Sequence, residues 1–227
     1  MGNAAPGRKP LAENGREALT GHVPARHAGH MIKTARLLLL LVLTNPAFAQ
    51  GKETSSDVPY PVTGSTAPAI YEYIKTAAPR IAPNATFAFT AIATKTVKAH
   101  AVGKDGCRYK RFETSAIYNF VLPSHQNAAS MNTRLAKSWL AFAAYLKTHE
   151  EGHRDIWRAC FREYDQQAVG LAAKDCDALD SKREQLFTNI KKRCVGEDEA
   201  YDVIFRKEVL KHPFMVEALK KKKLKDD

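Results

Sequence analysis

The chain has 227 residues and a formal net charge of +11 at neutral pH, from 35 Lys and Arg against 24 Asp and Glu. This length is enough for one domain with a hydrophobic core. The basic balance favours association with an anionic envelope surface. Because no helix-turn-helix, zinc-finger or single-strand-binding signature is present, no specific nucleic-acid partner is expected.

The first 49 residues are interpreted as a leader and a signal peptide. Residues 1–30 lack apolar periodicity and are expected to be a disordered leader or a misplaced start. After Met31 come two basic residues, the apolar run Leu37–Leu43 and the cleavage signal Ala47-Phe48-Ala49. That run is too short to span a bilayer, although an uncleaved anchor is the alternative. We therefore expect export to the periplasm or outside the cell, with no transmembrane anchor after cleavage.

The remaining 178 residues carry a charge of about +7, because the first 49 hold six Lys and Arg and two Asp and Glu. A polar linker is expected over residues 50–59, and one domain over 60–227. A short helix carrying Ile70 and Ile74 opens the domain. The apolar pattern predicts strands over 87–94, 97–102 and 109–122. Helices are predicted to follow over 131–168, 177–193 and 198–210. Strands that precede helices favour an α+β fold, with an antiparallel sheet packed on a helical half.

The helical half contains His149-Glu150-Glu151-Gly152-His153, an H-E-x-x-H pattern. Residues four apart on a helix share one face and lie about 6 Å apart along its axis, so His149 and His153 can bind one Zn²⁺ together. Glu150 is expected to act as general base, taking a proton from a zinc-bound water. The apolar stripe of the predicted helix runs through the motif. The alternative to a zinc site is a chance match of the pattern on a basic helix.

All four cysteines follow the predicted cleavage site, and an even number in an exported chain favours two disulfides. A helix over 177–193 would hold Cys176 and Cys194 about 27 Å apart, which is too far for a bond. Two pairings remain: Cys107–Cys176 with Cys160–Cys194, or Cys107–Cys194 with Cys160–Cys176. A thiolate zinc site is the competing interpretation, but no C-x-x-C spacing supports it.

Four features follow one another in a characteristic order. They are Tyr60-Pro61-Val62-Thr63-Gly64, Cys107 before a strand that ends in Leu122-Pro123, the H-E-x-x-H helix, and Cys176 opening the helix before Tyr201-Asp202. Together they resemble the four-cysteine branch of a family of secreted bacterial proteins regarded as zinc-dependent peptidases, catalogued as domain of unknown function 922. The resemblance implies a zincin-like domain that hydrolyses peptide or amide bonds outside the cytoplasm. It also implies the pairing of Cys107 with Cys176 and of Cys160 with Cys194.

The chain departs from this family after Tyr201-Asp202. Phe205, Lys207 and Glu208 stand where many members have a Thr and a His-Gly pair. The third zinc ligand is therefore expected to be Asp202, which matches the family's Tyr-Asp, with His212 as the alternative. Asp202 could instead orient a ligating histidine, and a glutamate ligand remains a further option (Glu184, Glu197 or Glu199).

Tyr201 is expected either to donate a hydrogen bond to the reaction's oxyanion or to be a buried structural tyrosine. The predicted function is zinc-dependent hydrolysis of a peptide or protein substrate. The alternatives are an inactive envelope protein of the same fold and a basic binding module for anionic polymers.

Overall fold

A computed structural model of the chain describes residues 51–78 and 87–220, so the predicted leader (1–30) and signal peptide (31–49) lie outside the described residues. Strand β1 (Glu53–Val62) comes first and leads into helix α1 (Ala67–Ala77). Thr66 caps this helix, because its side-chain oxygen accepts a hydrogen bond from the Ala69 amide. The helix buries Ile70 and Ile74, as its apolar spacing predicts.

A long hairpin forms the centre of the sheet. Strand β2 (Phe89–Gly103) pairs antiparallel with strand β3 (Gly106–His125). Strand β1 pairs with the other side of β3 and runs parallel to it, and the short strand β4 (Ala172–Ala173) pairs antiparallel with the start of β3. The α+β class is therefore confirmed, but the sheet is mixed and not purely antiparallel.

The observed sheet differs from the predicted one in β1 and β2, the two strands with few buried residues. Only Tyr60 and Val62 of β1 are buried, so this strand lacks the apolar alternation that identifies a half-covered strand. Most of the expected linker, residues 50–59, therefore belongs to β1. The strands predicted over 87–94 and 97–102 are one strand, β2, whose middle is exposed and therefore shows no apolar alternation across residues 95 and 96.

Three helices complete the described chain: α2 (Thr133–Val169), α3 (Cys176–Glu208) and α4 (Pro213–Ala218). The sequence predicted a break within α3, near Gly196. A side chain at Gly196 would meet nothing within 4 Å, so this glycine only weakens an exposed turn, by about 1 kcal/mol, and does not end the helix. None of the described helices combines the length and apolar composition needed to cross a membrane.

Two disulfides attach α3 to its neighbours. Cys107 at the start of β3 bonds Cys176, with Cα atoms 5.1 Å apart, and Cys160 of α2 bonds Cys194 of α3, with Cα atoms 6.3 Å apart. This confirms the pairing that the family resemblance implies. The packed core lies between α1, the first half of α2, α4 and the ends of β1 and β3, and a second cluster surrounds the disulfides.

Candidate metal centre

The H-E-x-x-H pattern lies in the middle of α2, on the face that packs into the protein. The apolar stripe that buries Trp139, Phe142 and Leu146 continues through the motif, because each following position is three or four residues further on. His149, Glu150 and His153 are consequently 6%, 2% and 9% exposed. Buried polar groups of this kind need partners, and helix α3 and strand β2 provide them.

Three donor atoms from two helices converge at one point. His149 Nε2 and His153 Nε2 lie 3.1 Å apart, and Asp202 Oδ1 of α3 lies 3.1 Å from the first and 3.2 Å from the second. Ligands held about 2.0–2.2 Å from a tetrahedral ion are about 3.3–3.6 Å apart, so the three atoms need only small shifts to hold one metal ion. All three residues line a cavity of 430 Å³ that admits solvent.

Asp198 fixes the orientation of the second histidine. His153 Nδ1 donates a 2.7 Å hydrogen bond to Asp198 Oδ1, which leaves Nε2 directed at Asp202 and His149. Asp198 and Asp202 are four residues apart on α3, so one face of this helix contacts both sides of the imidazole. A carboxylate behind a histidine is the usual support for a metal-binding imidazole.

The charges of the centre are coupled through these hydrogen bonds. Burial lowers the pKa of His153, but the bonds to Asp198 and Asp202 outweigh burial and raise this pKa to about 10. Burial also lowers the pKa of His149, where the bond to Asp202 compensates only in part. Hydrogen bonds from both imidazoles hold the pKa of Asp202 well below its usual range. The two carboxylates thus favour a positive charge at this point, and a bound metal cation would displace the proton of His153.

Glu150 lies beside the three donors and is held by the sheet. The Thr90 hydroxyl of β2 lies 2.7 Å from Glu150 Oε2, to which it donates, and 3.1 Å from the main-chain oxygen of Glu150. A carboxylate oxygen of Glu150 lies within 4.8 Å of a ring nitrogen of each motif histidine. Burial raises the pKa of Glu150 to about 7, although the bond from Thr90 opposes this rise. The carboxylate can therefore accept or release a proton near neutral pH.

A sequence profile described as "Bacterial protein of unknown function (DUF922)" matches residues 58–207. The chain belongs to this family. The match runs from the end of β1 to the end of α3 and contains every residue of the centre described above. Searches of curated proteins and of solved structures returned no match.

The position at which this chain departs from the family pattern contacts the centre. Phe205 stacks on the His149 ring, with centroids 3.7 Å apart and planes 11° apart. Tyr201 is nearly parallel to the same imidazole at 4.7 Å. These aromatic contacts restrict rotation of His149 about its side-chain bonds.

Tyr201 was expected as an oxyanion donor or as a structural residue, and its surroundings favour the second role. Its hydroxyl end fills the space that a side chain on Gly152 would occupy. Tyr201 does not line the cavity that the donor atoms face. This packing also explains why the motif helix carries a glycine in its interior.

His212, the alternative third ligand, lies elsewhere. It precedes α4, and its Nδ1 accepts a hydrogen bond from the Phe214 amide, so this nitrogen caps the helix. Its ring packs on Phe142 and Tyr145, and His212 does not line the cavity. The three glutamates considered as ligands also lie outside the cavity lining.

Two residues of the centre were not predicted. Asp198 could have been found from the sequence, because it precedes Asp202 by one helical turn, as His149 precedes His153. Thr90 could not, because its contact with Glu150 joins a strand and a helix that are 60 residues apart. No periodicity within either element indicates that contact.

Proposed function

We propose that the protein is a zinc-dependent peptidase or amidase that acts outside the cytoplasm. The observation that carries this proposal is the meeting of three donor atoms at 3.1–3.2 Å, with a buried carboxylate beside them. Two imidazoles and one carboxylate form the ligand set of several hydrolytic zinc sites, which keep a fourth position open. His149, His153 and Asp202 would hold the ion.

Zinc at such a site makes water a nucleophile at neutral pH and polarises the carbonyl of the substrate. Glu150 takes the proton of the attacking water and returns it to the leaving amine nitrogen. Thr90 donates to Glu150 Oε2, so Oε1 remains for the transferred proton. Asp198 keeps the His153 ring in one tautomer by accepting from its Nδ1.

The cavity supports an extended substrate. One of its walls is formed by the first two residues of β2, Phe89 and Thr90, and by the two residues before them, Phe87 and Ala88. Within the described residues β2 pairs only with β3, which leaves its other edge free for a peptide strand to add to the sheet.

The covalent structure supports a compartment outside the cytoplasm. Two disulfides persist where the environment is oxidising, as in the periplasm or outside the cell. The expected signal peptide agrees with this location, and the basic charge favours retention at an anionic envelope surface.

A peptidase assay on zinc-loaded protein, with two neighbouring variants, tests the proposal. Glu150→Gln should retain zinc and lose at least about a hundredfold in turnover, because only the proton acceptor is removed. Glu151→Gln makes the same change of charge one residue along α2, outside the cavity lining, and should keep full activity. Zinc binding without turnover in the parent would instead favour an inactive envelope protein of the same fold. Absence of zinc binding would contradict the proposal altogether.

A further inference from the structure

The cavity beside the metal centre has an uneven chemical lining. Away from the motif, its walls are mostly apolar and come from α1, the residues just before β2, α2 and the 3-10 turn that follows α3 (Tyr71, Phe87, Leu146, Val209 and Leu210). Among the described residues, Arg206 is the one Lys or Arg that lines it. A cavity with apolar walls and a single guanidinium suits an apolar group that carries a negative charge close by.

Arg206 is not neutralised by the protein within the described residues. It has no hydrogen-bond or ion-pair partner there, whereas Arg193 on the same helix contacts both Glu163 and Glu197. The three acidic residues of the cavity wall are occupied, since Asp198 and Asp202 accept from the motif histidines and Glu150 accepts from Thr90. The guanidinium is therefore free to bind a ligand anion.

The spacing on α3 places this cation next to the reaction site. Arg206 follows Asp202 by four residues, so it lies on the same face of α3, about 6 Å further along the axis. Phe205 lies between Asp202 and Arg206 in the sequence, and Val209 follows Arg206. Both side chains extend the apolar wall of the cavity. A substrate amide bond at the metal centre would therefore have an apolar wall and a guanidinium within about two residues' length.

We propose that Arg206 binds a carboxylate of the substrate, adjacent to an apolar side chain that fills the cavity. This inference rests on the proposed peptidase function for the identity of the ligand as a peptide. A planar guanidinium pairs with a carboxylate through two parallel hydrogen bonds, which gives both affinity and orientation. The carboxylate is either the C-terminus of the peptide or an Asp or Glu side chain, and both present the same chemistry to Arg206.

Peptide binding, measured separately from hydrolysis, tests this assignment. The Glu150→Gln protein holds the peptide without cleaving it, so fluorescence anisotropy can report affinity. The probes are fluorescein-labelled Ala-Ala-Ala-Phe with a free carboxylate, the same peptide as its C-terminal amide, and the amide of Ala-Ala-Glu-Phe. Arg206→Gln should weaken binding of the free-acid peptide by about tenfold or more and bring it to the affinity of the first amide. Arg206→Lys should fall between, because it keeps the charge and loses the paired geometry.

Lys207→Gln is the matched control, since it removes one positive charge from the neighbouring residue, which does not line the cavity. It should leave the preference for the free acid unchanged. If only the free acid binds more tightly than the first amide, the C-terminus is the source of the carboxylate. If only the Glu-containing amide does, the side chain is the source, and if both do, Arg206 accepts either carboxylate. Equal binding of all three peptides, or equal losses in the Arg206 and Lys207 variants, would overturn the assignment.

The two proposals fail in different ways. If the parent prefers the free-acid peptide through Arg206 but hydrolyses neither peptide, the peptidase function is contradicted and the carboxylate site stands. If the parent hydrolyses acid and amide at equal rates, and Arg206→Gln does the same, the carboxylate site is contradicted and the peptidase function stands.

Discussion

Asp202 contacts both motif histidines through one oxygen, Oδ1, which makes it the residue on which metal affinity should depend. We expect Asp202→Ala to lower zinc affinity by at least about tenfold to a hundredfold, because two imidazoles alone form a labile site. His212→Ala should leave zinc affinity unchanged and cost about 1 kcal/mol of stability, because His212 caps α4. Chelator competition measures affinity, and circular dichroism verifies that each variant is folded.

The reverse pattern, with affinity lost only in the His212 variant, would show that the ligand assignment is wrong. Unchanged affinity in both variants would point to a ligand other than either residue.

Gly152 and Gly196 are both helical glycines, yet their surroundings predict opposite responses to alanine. A methyl group at Gly152 would overlap the hydroxyl end of Tyr201, whereas one at Gly196 meets nothing within 4 Å. We expect Gly152→Ala to destabilise the protein by about 1–3 kcal/mol through overpacking, and Gly196→Ala to stabilise it by up to about 1 kcal/mol through helix propensity. Urea unfolding measures both changes, and a stabilising Gly152→Ala would contradict the packing of Tyr201.

At the level of elements, the disulfide between α2 and α3 lies close to the candidate metal centre. Cys194 precedes Asp198 by four residues on α3, about 6 Å along the axis, and Cys160 follows His153 by seven residues on α2. The bond therefore helps to hold the carboxylates of α3 against the histidines of α2. Cys107–Cys176 anchors α3 at its other end, 26 residues before Asp202.

Replacing Cys160 and Cys194 together by Ala should weaken zinc binding more than the same replacement of Cys107 and Cys176. Each change is expected to cost about 2–4 kcal/mol of stability, so affinity is compared at a temperature where both proteins remain folded. Zinc titration against a chelator provides the comparison. Equal affinities in the two double variants would show that packing alone positions α3 at the centre.

The elements of the centre differ in how far the sequence could predict them. The motif on α2 was recognisable because His149 and His153 share a helical face with the apolar stripe, and helix periodicity is a local property. Strand β1 was missed because eight of its ten residues are not buried, so burial imposes no alternation on them. The contacts of Thr90 with Glu150 and of Asp198 with His153 depend on how separate elements pack, which no local pattern encodes.

At the scale of the whole molecule, the Asp180 carboxylate is one of the groups that join the sheet to the helical half. Asp180 of α3 accepts a 2.5 Å hydrogen bond from Lys98 of β2 and another from the Tyr109 hydroxyl of β3. His100 Nε2 lies 3.3 Å away, and Arg183 Nε lies 3.8 Å away. Hydrogen bonds from Lys98 and Tyr109 hold the pKa of Asp180 well below its usual range.

This lowered pKa sets the direction of a pH dependence. As the pH falls through about 4, the unfolded chain takes up a proton at Asp180 before the folded protein does. The stabilisation is therefore complete above about pH 5 and is lost progressively at lower pH. We expect Asp180→Asn to lower the free energy of unfolding by about 1 kcal/mol at pH 7, a modest value because the side chain is 31% exposed. The difference between parent and variant should shrink as the pH falls from 5 to 3.

Urea unfolding at pH 7, 5 and 3 measures this difference. Glu199→Gln, on the same helix and without an ion pair among the described residues, is the control, and its difference from the parent should be small at every pH. A difference for Asp180→Asn that stayed constant down to pH 3 would show that its charge does not join the two halves, and that the hydrogen bonds alone do.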